Sequence, residues 1–148
     1  MRLLSVVIAA VLLAAHADLA LAQDGRQLVR LPEPMQEHML ANMRDHLATL
    51  DEIIGDVAQA KYDEAAKLAE QRLGMSSLSA HGAAHMAPFM PQQMQDIGNS
   101  MHHAASRLVI VLQNAETAAS EQSIREVNGA LHEVTSACAA CHASYKVR

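Results

Sequence analysis

The chain has 148 residues, 51% of them hydrophobic and 18% charged, with a formal net charge of -5, so it is neither a basic nucleic-acid binder nor a long acidic disordered tail. Two Cys are too few for a disulfide-stapled scaffold, and four Pro with six Gly are too few for collagen-like or linker-like sequence. Three aromatic residues, Tyr62, Phe89 and Tyr145, leave aliphatic side chains and nine Met to supply the interior, or a non-protein group to help fill it.

Residues 1–22 have the form of an export signal. Arg2 gives a positive start, residues 3–15 are an almost unbroken apolar run, and Ala20-Leu21-Ala22 is a small-x-small cleavage signature. Thirteen helical residues rise about 20 Å, short of the roughly 20 residues a membrane span needs. Cleavage would leave residues 23–148 as one domain with the charge unchanged, because Arg2 and Asp18 leave together. The expected location is the periplasm, with no membrane anchor on the mature chain.

Four amphipathic segments follow. From Pro32 to about Ala60, Leu40, Met43, Leu47, Leu50, Ile54 and Val57 recur at spacings of three and four, which predicts one long helix. Asp63 is positioned to cap a second helix through Gln71 or Leu73, with Gly74 as its stop. The stretch from Gly74 to Pro91 reads as a long irregular cover. A third helix runs from Pro91 to about Glu116. The last starts near Ser120 to Ser123, where Ser123 and Glu126 have capping-box spacing. Its seam is Ile124, Val127, Leu131, Val134, Cys138, Cys141 and Tyr145. No window shows strand-like alternation, so the expected fold class is all-α, an antiparallel up-down four-helix bundle.

The chemistry-bearing motif lies near the C-terminus. Cys138-Ala139-Ala140-Cys141-His142 has the C-x-x-C-H spacing of covalent haem c attachment, in which two thiols add to the haem vinyl groups and the adjacent imidazole binds iron. A thioredoxin-like dithiol needs a strand-to-helix context that is missing here, and a zinc site needs further ligands.

An exported helical domain that ends in this motif, followed by Tyr145 and Lys146, resembles the class II c-type cytochromes, the cytochrome c′ family, including its low-spin Met/His-ligated relatives. Lys61-Tyr62-Asp63-Glu64-Ala65-Ala66 at the second helix start adds to the likeness. The resemblance implies one covalently attached haem c, with Cys138 and Cys141 as attachment points and His142 as proximal axial ligand. It also places the opposite axial position on the first helix, where Met43 is the favoured ligand, Met39 the runner-up, and Leu40 the blocking residue of a five-coordinate site.

Tyr145 is expected to pack against the macrocycle, and Lys146 and Arg148 to contact a propionate. The implied function is one-electron transfer to an unidentified redox partner protein, by a carrier and not an enzyme, and members of the family pair as homodimers. The alternative is a five-coordinate haem protein that binds nitric oxide or carbon monoxide. A copper-binding reading of His81, His85, Met86, Met90 and Met94 is weaker, because Pro88 and Pro91 break the spacing. His38, His46 and His132 are assigned to the surface, as is at least one of His102 and His103.

Overall fold

The computed structural model describes residues 24–148, and the expected export signal, residues 1–22, lies outside them. Pro32 and Pro34 bracket the start of α1 (Glu33–Ala58). Proline suits that place because a helix's first turn leaves its N–H groups unpaired anyway. After α1, Ala60 adopts a positive φ of 57° and turns the chain into α2 (Tyr62–Leu68). Asp63 is not the cap of α2. Lys61 holds that position without a side-chain bond, and Asp63 lies in the first turn, where a carboxylate complements the helix dipole.

The helix then widens into a π-helical turn, Ala69–Leu73. It closes on Gly74, where an added Cβ would stand 2.9 Å from the Glu70 backbone, too close for any other residue without a shift. The cover segment holds two 3-10 turns, Met75–Ser77 and Ala87–Phe89, with the short helix α3 (Ala83–Met86) between them. Two long helices follow, α4 (Gln92–Thr117) and α5 (Glu121–Ser144). The capping box at the start of α5 pairs Ser120 with Ser123, not Ser123 with Glu126.

Helical residues make up 78% of the described chain, which bears out the all-α class. The sequence contained no strand signal, yet β1 (Gln27–Val29) and β2 (Tyr145–Val147) form a parallel two-stranded ladder with Gln27 opposite Tyr145 and Val29 opposite Val147. Three residues are too few for an alternation to stand out, and this pairing of chain ends depends on the fold that brings them together. Tyr145 therefore leaves the helical seam of α5 and is buried from β2.

Packing runs α1 to α2, α2 to α4, and α4 to α5. One buried cluster, centred on Ile53, Ala65, Ala69, Leu108, Leu112, Val127 and Val134, fills the interior between these helices. A second, of Val29, Leu31, Met39, Met86, Met94 and Tyr145, with Met35, Met43, Met90 and Cys141 against it, lies toward the β-ladder. The apolar stripe of α1 is turned one residue from the sequence expectation. Met39, His46 and Ile53 are buried, whereas Leu40, Leu47 and Ile54 are 37%, 71% and 53% exposed. Ile124 of α5 is exposed as well. No helix among the described residues is long and apolar enough to cross a membrane.

Candidate functional site

A cavity of about 620 Å³ opens between α1, the cover segment, α4 and α5. That volume lies within the range of about 300–1,000 Å³ usual for ligand and cofactor sites. Cys138, Cys141 and His142 all line it from α5. The helix turns both sulfurs to the interior, leaving the two cysteines half-buried and His142 exposed. Burial raises both thiols above the usual cysteine range, so they are protonated near neutral pH.

Across the cavity stand Met39, Met43 and His46, on successive turns of α1. Met39 is buried and Met43 half-buried, while Leu40 turns outward and is not part of the wall. Met39 and Met43 thus share the cavity wall with the motif, and Leu40 does not.

The remaining candidates divide. Tyr145 is buried in the methionine-rich cluster, with its hydroxyl donating to Gln93 Oε1 at 3.3 Å. Lys146 already has an acidic partner, Asp24, at 3.2 Å. Arg148 donates its backbone N–H to Val29 O at 3.2 Å and is exposed. His81 is buried in the cavity wall and His85 is exposed, so the two do not share the face a joint copper site would need. Among the described residues, no group of three or more His, Cys, Asp or Glu side chains is arranged to hold a metal ion.

Sequence reasoning missed the most polar part of the wall. His46, assigned to the surface, is 7% exposed and meets His81 and His102, with ring centroids 4.7 Å and 5.9 Å away. His81 and His102 are 5.3 Å apart. His46 Nε2 lies 3.5 Å from His81 Nδ1, and His102 Nδ1 donates to the Leu73 carbonyl at 2.7 Å. The π-helical turn explains that last bond, because its end leaves the Leu73 carbonyl pointing at α4.

Burial, then repulsion from His81 and His102, pushes His46 down to about 4 despite the opposing pull of Asp45. His81 is lowered by burial and by His102, and His102 is lowered by burial, which outweighs the opposing pull of the Leu73 and Gly74 carbonyls. The trio is neutral at pH 7. A clue was present in the sequence: His46 is three residues from Met43 and seven from Met39 and Ile53, so it belongs to the same helical face.

Two contacts fix the wall. Asn42 Nδ2 donates to His81 O at 3.0 Å and ties the cover segment to α1. Arg72, in the π-helical turn, bonds both Asp45 and Glu52 of α1, which holds the Asp45 carboxyl below its ordinary range. His38, His103 and His132 are exposed, as expected. No protein-family model, no curated protein and no solved structure matches this chain.

Proposed function

We propose that the chain is an exported monohaem c-type cytochrome, an up-down four-helix bundle of the class II kind that carries single electrons. The observation that carries this reading is that Cys138, Cys141 and His142 line one largely apolar cavity of cofactor size. The donor set fits haem c. Each thiol S–H adds across a vinyl C=C, forming one C–S bond with no by-product, and the neighbouring imidazole is an iron ligand. Haem, when bound, supplies reversible one-electron chemistry at iron.

The chain's own residues hold and shield the group. Cys138 and Cys141 would fix it to α5, His142 would supply an imidazole ligand, and Met43, or Met39 one turn earlier, a thioether from α1. The methionine-rich cluster and the cover segment keep water from the apolar side. The formal charge of -5 suits a redox partner that presents a basic face.

Expression with a cytochrome c maturation system tests the reading. Haem that stays on the polypeptide through acid-acetone extraction supports it, and free haem in the solvent refutes it. A low-spin spectrum indifferent to carbon monoxide, converted to high-spin by Met43→Ala, identifies Met43 as the sixth ligand. If only Met39→Ala converts it, Met39 is the ligand.

A second reading, a five-coordinate haem protein for nitric oxide or carbon monoxide, is favoured by one feature. The α1 side of the cavity carries the neutral imidazole of His46 beside the thioethers, giving an incoming small ligand a polar neighbour.

A further inference from the structure

His46, His81 and His102 come from α1, the cover segment and α4, and a hydrogen-bond account of their ring nitrogens leaves a remainder. Each neutral imidazole carries one N–H. His102 places its proton on Nδ1, which the Leu73 carbonyl accepts, and so presents a bare Nε2. Ser77 donates its own hydroxyl proton to the Gly74 carbonyl at 2.7 Å, so toward the imidazoles it only accepts.

Between His46 Nε2 and His81 Nδ1, 3.5 Å apart, there is room for one proton. If His81 Nδ1 carries it, for His46 or for Ser77 at 3.4 Å, the proton of His46 has no acceptor among the described residues. If His46 Nε2 carries it, the proton of His81 sits on Nε2 and is the one without an acceptor. Every tautomer therefore leaves at least one N–H of this pair unpaired. No fully buried side-chain nitrogen or oxygen among the described residues lacks a partner, so that N–H keeps some accessible surface, and both rings line the cavity.

We propose that the His46–His81 pair is a hydrogen-bond donor site for a small electron-rich ligand of the iron, of the azide, nitrite or nitric oxide class, entering on the α1 side of the cavity. This rests on the haem reading of the same cavity. The walls around the pair are otherwise largely thioether and aliphatic, so a single N–H there is worth more than in water. Both rings are held in place, His81 through Asn42 on its backbone carbonyl and His46 by its position on α1. Burial keeps both neutral, so the site donates a hydrogen bond without carrying a charge.

The test uses the haem-loaded protein, either wild type or, where wild-type iron is six-coordinate, whichever of Met43→Ala and Met39→Ala opens it. Bound carbon monoxide should show a C–O stretch that rises in His46→Leu or His81→Leu. Azide should bind that variant about tenfold more weakly, the loss of one hydrogen bond. His46→Gln or His81→Gln, which keep an N–H, should recover part of both effects, separating donation from a packing defect.

An unchanged stretch and azide affinity in both leucine variants, with haem still attached by in-gel stain, overturns the donor site and leaves the cytochrome reading standing. Iron closed to both probes in wild type, in Met43→Ala and in Met39→Ala also overturns it. A chain that never acquires covalent haem sinks both readings, and the stain tells these cases apart.

Discussion

Around Leu108 and Leu112 the interior is built mainly from Ala, Leu, Val and Ile, with Ile53, Leu73, Leu108, Leu112, Val127 and Val134 fully buried. Around Met39, Met86 and Met94 it is built from thioethers and borders an open cavity. Small and branched aliphatics let α2, α4 and α5 approach closely and interdigitate in fixed rotamers. Methionine has three rotatable bonds and a polarizable sulfur, so it lines an irregular space and adapts to whatever fills it. Six methionines gather in or against the second cluster, whereas only Met101 belongs to the first. One half of the molecule is therefore packed against itself, and the other lines a cavity of about 620 Å³.

Four changes would break or sharpen that contrast. The largest effect is expected from Cys138→Ala with Cys141→Ala, which on the proposed cytochrome reading removes covalent haem altogether. The methionine-rich half should loosen and bind a hydrophobic dye, while circular dichroism keeps most of its helical signal. Complete loss of that signal would mean the aliphatic half does not stand alone.

Leu108→Ala cuts into the aliphatic half at a fully buried site and should cost about 2–5 kcal/mol in denaturant unfolding. The haem spectrum should not change, and a changed one would show that the two halves are coupled.

Acid should act on the cavity half. The unfolded chain takes up a proton on His46 near 6.5, whereas the folded protein resists until about 4. Stability is then unaffected above about pH 6.5 and falls as pH drops toward 4, by about 2 kcal/mol at pH 5 and about 3 kcal/mol at pH 4 for this residue. His81 and His102 act in the same direction. Melting temperatures at pH 7.5 and pH 5 check this, and His46→Leu should flatten the difference.

The smallest effect belongs to neither cluster. Ser120→Ala removes the acceptor for the Ser123 N–H at the start of α5 and should cost about 1 kcal/mol in a thermal melt.

The long helices α1, α4 and α5 were legible to within a few residues, because twenty or more positions of periodic pattern outweigh any single exception. The inward face of α1 was not. Leu40, Leu47 and Ile54 look like the core on hydrophobicity alone, yet Met39, His46 and Thr49 take the interior beside Ile53. Thr49 satisfies its hydroxyl on the Asp45 carbonyl at 2.8 Å, and His46 meets two more imidazoles, so neither meets the penalty that hydropathy assigns to a buried polar group. A one-residue rotation of the stripe is enough to hide the imidazole trio.

The sequence by itself determined the helical class, the helix lengths and the C-x-x-C-H motif, since these depend on residues near one another in the chain. Tertiary structure decided which face of α1 looks inward, that three distant histidines meet, and that Gln27–Val29 and Tyr145–Val147 join in a ladder. Those outcomes turn on how helices rotate and pair to bury area and satisfy polar atoms together. That is a property of the whole packed molecule, and no single segment encodes it.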